Sequence, residues 1–246
     1  MNQLILMIQF FTRIPISIQV PASNSDFAKG VKWLPLVGLL IGGILAGIHT
    51  MCAPYFNALT LSALVVFLEV FLSGGLHLDG LADAFDGLYS NRGKDRILEI
   101  MKDSRIGSNG ALALIVLITM KIAFLTNLSV ADRTLVVLFM PSISRFGIAL
   151  GSWLSVYARD EGMGQFFIGN VSKGQVLSAL IVVAVPLAAY PPGYIVLGGS
   201  ALFVHFYVKH VKRIIDGMTG DTLGAMIELS ELFQLPIWII VIQLIK

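Results

Sequence analysis

Four stretches of membrane-crossing length dominate this chain and confine it to one class of architecture. Residues 33–52 carry no Asp, Glu, Lys or Arg, while residues 59–76, 110–128 and 135–156 carry one each, Glu69, Lys121 and Arg145. About 20 apolar residues make a helix long enough to cross the hydrocarbon core, where backbone polar groups must be satisfied within the helix itself. A fifth block, residues 176–208, is too long for one crossing. Pro186 and Tyr190-Pro191-Pro192-Gly193 split it into two spans joined by a tight turn, because Pro-Pro-Gly does not continue a helix. Residues 233–245 supply a shorter last segment, with Pro236 read as a first-turn proline. The expectation is an all-α polytopic integral membrane helix bundle. It has about seven transmembrane helices and short cytoplasmic amphipathic helices, in a single domain over residues 1–246.

Charge distribution gives the orientation. Only 13% of residues are charged and 56% are hydrophobic, against roughly a quarter charged in soluble domains. Arg13, Lys29 and Lys32 precede the first span. Arg92, Lys94, Arg96, Lys102 and Arg105, then Arg159 and Lys173, then Lys209, Lys212 and Arg213, fall in or beside alternate connections, and the opposite connections hold only Arg133. By the positive-inside rule these polar loops are cytoplasmic. A net charge of +2 does not suggest a nucleic-acid partner. Cys52 is the only cysteine, which excludes an internal disulfide and a multi-cysteine metal site. The apolar opening lacks the basic start and small-residue cleavage site of a removable signal peptide. It reads as either a span or an interfacial helix over residues 2–18.

Chemistry concentrates after the second span. Six of the 15 acidic residues lie between Asp79 and Asp103. In His77-Leu78-Asp79-Gly80-Leu81-Ala82-Asp83-Ala84-Phe85-Asp86-Gly87, the three aspartates stand at i, i+4 and i+7 and share one helix face. Three anions this close repel one another unless a cation sits among them, and an all-oxygen set suits Mg²⁺, Mn²⁺ or Ca²⁺ better than zinc. A second helix-length piece, residues 94–105, puts Asp95, Glu99 and Asp103 on one face, and Lys102 and Arg105 add cations suited to phosphate. A solvated face with ordinary ion pairs explains Asp95 and Glu99 equally well. A lone histidine such as His77 is more often hydrogen-bonded scaffolding than a ligand.

Two further groups stand out. Asp216-Gly217-Met218-Thr219-Gly220-Asp221-Thr222-Leu223-Gly224-Ala225, followed by Glu228, combines glycines that admit close ligand approach with two acids on one helix face. A plain turn and helix start, capped by Thr219 or Asp221, explains the pattern about as well. Arg145 lies well inside a span, where arginine pairs with an acid or reaches toward a substrate phosphate. Glu69 and Lys121 stand at similar depth, able to pair with each other or to face the same cavity.

Taken together, Gly74-Gly75-Leu76-His77-Leu78-Asp79-Gly80-Leu81-Ala82-Asp83, Asp86-Gly87, Glu99-Ile100-Met101-Lys102-Asp103-Ser104-Arg105-Ile106-Gly107 and Thr219-Gly220-Asp221-Thr222-Leu223-Gly224-Ala225 resemble the signatures of cobalamin synthase, the adenosylcobinamide-GDP ribazoletransferases. Phe11-Thr12-Arg13-Ile14-Pro15 is similar to that family's opening. The resemblance implies a Mg²⁺-dependent, multi-pass enzyme of the bacterial inner membrane with its active site toward the cytoplasm. Such an enzyme joins adenosylcobinamide-GDP to α-ribazole or its 5′-phosphate and releases GMP.

A looser similarity links Asp83-Ala84-Phe85-Asp86-Gly87 to the opening of the CDP-alcohol phosphatidyltransferase motif, whose later positions this chain does not follow. On these resemblances Asp83 and Asp86, with Asp79, are the expected metal residues. Asp103 is the expected general base, with Lys102 and Arg105 beside it. Arg145, Thr219, Asp221, Glu228 and His77 are the expected substrate contacts. The expected partners are the two small-molecule substrates and the lipid bilayer, and association of like chains is compatible with the sequence. A phospholipid synthase and a cation-coupled transporter remain alternatives. The transporter lacks the internal repeat expected of that class.

Overall fold

The computed structural model describes residues 2–21 and 23–246, and eleven α-helices account for most of them. In chain order they are α1 Asn2–Phe11, α2 Asn24–Gly30, α3 Leu34–Cys52, α4 Ala58–Ser73, α5 Leu76–Leu88, α6 Lys94–Ile100, α7 Ser108–Thr126, α8 Val130–Leu154, α9 Lys173–Leu187, α10 Gly193–Ile215 and α11 Gly220–Ile245. Among the described residues the only β pairing is an isolated bridge between Tyr157 and Met218. Among the described residues five helices are long and apolar enough to cross a membrane: α2 and α3 taken as one over Asn24–Cys52, then α7, α8, α10 and α11. The bent pair α4 and α5 makes a sixth, and α9 is a shorter apolar helix of 15 residues.

The helix ends follow local chemistry. Asn57 accepts the N–H of Thr60, Ser129 that of Asp132, and Ser172 and Thr219 each close reciprocal caps with the residue three positions on. Such caps satisfy backbone donors that a helix start leaves unpaired. The proline-rich turn between α9 and α10 stands where Tyr190-Pro191-Pro192-Gly193 predicts it.

The bundle is built around α8, which is buried over most of its length. Gly38 and Gly42, one turn apart on α3, lie directly against the α8 backbone at Pro141 and Leu138, so any side chain there would collide with it. Small residues at this spacing let two helix backbones approach closely within a membrane. Ser142 Oγ adds a 2.8 Å hydrogen bond to the Pro35 carbonyl across the same contact. On the outside, Leu112, Ile115 and Val116 of α7 and Ile195, Leu202 and Phe206 of α10 are exposed, as lipid-facing flanks require.

One open reading of the sequence narrows and two others change. α1 is ten residues long and ends at Phe11, too short to cross a bilayer. α6 stops at Ile100, so Lys102, Asp103 and Arg105 lie in the turn that follows rather than on a helix face. α11 starts at the Thr219 cap and runs for 26 residues, which places Pro236 inside it instead of in a first turn.

Candidate active site

The site begins with a corner. Gly74 and Gly75 adopt consecutive left-handed conformations, φ 65° and 73°, which glycine enters without the cost that a Cβ imposes. The chain leaves α4 and enters α5 at 91°. Arg13 packs on Gly74, and its backbone N–H donates to the Leu72 carbonyl at 2.7 Å. The expected acidic face therefore does not continue the line of α4. It lies across the end of the bundle, where α5 packs between α7 and α11 with Leu81, Ala84 and Leu88 buried.

Two glycines set how closely α5 meets α11. A Cβ on Gly80 would meet the backbone of Asp221, and one on Gly224 would press on His77. That close crossing brings Asp221 beside the α5 aspartates. Asp83 is half-buried and faces the carboxylates of Asp221, Asp79 and Asp86. The opposing cation is Arg159, whose guanidinium is 2.8 Å from Asp221. Asp86 is used differently, because its carboxylate accepts the N–H groups of Gly107 at 2.7 Å and Gly110 at 2.9 Å and so caps the start of α7 from another helix. Among the described residues no three His, Cys, Asp or Glu side chains are gathered closely enough to cage a cation unaided.

Two cavities meet at this shelf. One, of about 150 Å³, has Phe10, Phe11 and Phe167 on its wall together with His77, Asp79 and Asp221. The other is a more open cleft of about 510 Å³, bordered by Arg13, Asp79, Asp83, Ser104 and Ile106. Asp79 and Leu76 belong to both.

The remaining expected residues divide sharply. Asp103 accepts from Arg105 Nε at 3.0 Å and Nη2 at 2.6 Å, and this guanidinium holds the carboxyl down to about 2. A carboxylate so stabilised is a feeble proton acceptor near neutral pH. Lys102 is exposed, and neither it nor Asp103 nor Arg105 lines either cavity. Arg145 and Glu228 do not line them either, because both are consumed in a buried charge network. Lys121 Nζ lies 3.2 Å from Glu69 and 2.9 Å from Glu228 and also contacts Glu231. Arg145 Nη1 reaches Glu231 at 3.0 Å, and Ser144 donates to the same carboxylate at 2.7 Å. Thr219 is wholly buried, its hydroxyl spent on the cap of α11.

Arg13 and Arg159 escaped the sequence reading as site residues. Arg13 had the only available signal, its place in the Phe11-Thr12-Arg13-Ile14-Pro15 motif. Arg159 lies in a polar loop beside Asp160 and Glu161 and looks like ordinary surface charge.

A family profile described as cobalamin-5-phosphate synthase matches residues 3–239. The chain belongs to this family. An adenosylcobinamide-GDP ribazoletransferase of Alkaliphilus metalliredigens is 43% identical over 231 residues, covering 94% of this chain and 92% of that protein. Proteins of the same name from Clostridium acetobutylicum and Clostridium novyi are 42% and 39% identical, each match covering at least 94% of both chains. No solved structure matches the chain. Membership in the cobalamin-5-phosphate synthase family extends over α1 to most of α11, so the shelf, both cavities and the buried network all lie within the matched region.

Proposed function

We propose that this chain joins adenosylcobinamide-GDP to α-ribazole or its 5′-phosphate, with release of GMP. The observation that carries this reading is the junction itself: a family match over nearly the whole chain coincides with a carboxylate shelf shared by an aromatic-walled pocket and an open, polar cleft. A ribazole hydroxyl attacks the phosphorus that carries the cobinamide arm, the bond to the GMP oxygen breaks, and GMP leaves with that oxygen. Such a transfer asks the protein for positioning and charge neutralisation more than for covalent chemistry.

In this reading the open cleft takes the pyrophosphate. Arg13, on its wall and without an ion pair among the described residues, holds phosphate oxygens there. Asp79, at the junction of both cavities, takes the proton from the attacking hydroxyl, a role that the Arg105 pairing removes from Asp103. Asp83 is the residue to hold Mg²⁺, flanked by Asp86 and Asp221. Mg²⁺ commonly binds through one or two carboxylates plus substrate phosphates and water, so a sparse all-oxygen set suits it. When bound, it neutralises charge on the pyrophosphate. Positive-inside placement of the polar loops supports a shelf that faces the cytoplasm, and in this reading the bilayer is the bacterial inner membrane.

The test is release of GMP from adenosylcobinamide-GDP by the detergent-solubilised protein. Release should require both α-ribazole and Mg²⁺ and yield a cobalamin product. Release that ignores α-ribazole, or none from folded protein, refutes the reading.

A further inference from the structure

The smaller cavity has a composition that discriminates among the groups the two substrates bring. Its aromatic wall is continuous: ring centroids lie 5.0 Å apart for Phe10 and Phe11, 5.6 Å for Phe10 and Phe167, and 5.7 Å for Phe11 and Phe167. Ile148, Leu223 and Ile227 complete an apolar lining. Against this wall stands His77, 2% exposed, its ring 5.9 Å from that of Phe11. Its Nε2 has no hydrogen-bond partner. A buried ring nitrogen without a partner is costly, and native proteins seldom leave one so unless a ligand or a water completes it. The cavity thus has room for one flat aromatic group and an apolar surround for its faces, with His77, Asp79 and Asp221 as the charged or ionisable groups of its lining.

We infer that this pocket binds the base of α-ribazole, with the acceptor ring nitrogen of the dimethylbenzimidazole taking a hydrogen bond from His77 Nε2–H. The inference rests on the proposed reaction and adds the subsite that recognises the nucleoside. The base is flat, bicyclic and mostly hydrocarbon, and its two methyl groups suit Ile and Leu contacts. One ring nitrogen bears the sugar and only the other offers a lone pair, so a single donor on the wall satisfies its whole polar edge. Guanine fits poorly, since Asp79 or Asp221 could accept from its N1–H and amine but its carbonyl and remaining ring nitrogens would lie unpaired against phenylalanine and aliphatic carbon. Asp79 and Asp221, on the same wall, stand where the ribose would continue, and Asp79 borders the cleft in which the pyrophosphate would lie. Base recognition and hydroxyl delivery are thereby coupled through the first turn of α5.

The experiment compares α-ribazole with its dimethylindole riboside, in which the acceptor nitrogen is a C–H. Full-length protein in detergent is assayed in two ways: turnover with adenosylcobinamide-GDP and Mg²⁺, and equilibrium dialysis of each nucleoside without corrinoid. Loss of one hydrogen bond corresponds to about a tenfold weaker KM or Kd for the indole riboside on the native protein. His77→Ala should weaken α-ribazole by a similar factor while leaving the indole riboside and adenosylcobinamide-GDP nearly unchanged. A purely structural histidine would weaken both nucleosides together, and that result, or a preference that survives His77→Ala, overturns the assignment.

If the variant does not accumulate, the native protein still decides. Free dimethylbenzimidazole should displace bound α-ribazole where guanine at the same concentration does not, and equal displacement overturns the assignment. Selective binding without GMP release would keep the pocket and refute the reaction. GMP release without that selectivity would do the reverse.

Discussion

Two groups of carboxylates stand in this protein, and they differ in what answers their charge. Glu69, Glu228 and Glu231 are buried with Lys121 and Arg145, and these five side chains tie α4, α7, α8 and α11 together at the depth of the spans. Asp79, Asp83, Asp86 and Asp221 gather at the end of the bundle around α5, with Arg159 the cation set against them. A buried charge held in contact with its opposite is a fastening, since removing one member leaves the others stranded in low dielectric, even though Glu69 Oε1 and Arg145 Nε have no hydrogen-bond partner here. Anions left short of positive charge beside an open cleft have capacity for a cation, and through it for a phosphate-bearing ligand. The sequence marks the aspartates by their spacing and Glu69 by its depth inside a span, but only the arrangement of bases in the structure shows which group is already answered.

The largest effect should come from the shelf. Asp83→Asn is expected to abolish turnover, by about a thousandfold or more if charge stabilisation at phosphorus is lost, while the protein still inserts and unfolds normally. Chelation of divalent cations should mimic it reversibly in the native protein. Near-native turnover in either case would erase the functional side of the comparison.

Lys121→Met should do the opposite. Three glutamates would be left with one base, and breaking a buried pair costs about 3–5 kcal/mol. Thermal unfolding in detergent should fall well below that of the native protein, and an unchanged midpoint would show that the network is not a fastening.

Gly75→Ala probes the corner that keeps the groups apart. A Cβ there has open space, so its cost is conformational only, about 1–2 kcal/mol. A change indistinguishable from that of Ala at a solvent-facing helical position would mean that the left-handed turn is not maintained.

Asp103→Asn should matter least. With its carboxyl held near 2 by Arg105, the pairing is present above the ordinary carboxylate range and is lost only as pH falls toward the depressed value. Between about pH 5 and 9 its charge is constant. The activity profile over that window should keep its shape, with turnover within about threefold of native, and a lost alkaline or acidic limb would restore Asp103 as a proton acceptor.

The fold was legible where physics is local. Apolar length located the spans, Pro-Pro-Gly located the α9–α10 turn, and the spacing of Asp79, Asp83 and Asp86 located α5. The plain reading of Asp95 and Glu99 suits the structure too, since Arg96 pairs with Glu99 on an exposed face. The corner was readable in principle, because adjacent glycines are the residues that tolerate two left-handed turns in a row, but they were absorbed into an apolar run.

What could not be read was convergence between distant segments. The Arg13 side chain on α4, Arg159 opposite Asp221, and Asp86 capping α7 link positions 21 to 62 residues apart. No periodicity encodes such meetings. Arg145 and Glu228 illustrate the converse, since intramembrane charge is a sound signal of importance but does not say whether the partner is substrate or another helix.

The right angle at Gly74 and Gly75 also bears on the handling of bulk. Had α5 continued the line of α4, it would have lost the close crossing with α11 that brings Asp221 beside its aspartates. Laid across the end of the bundle, the carboxylates are reached by a tether. In the proposed reaction only the nucleotide-bearing arm of the substrate would have to reach into the cleft between Arg13 and Asp83.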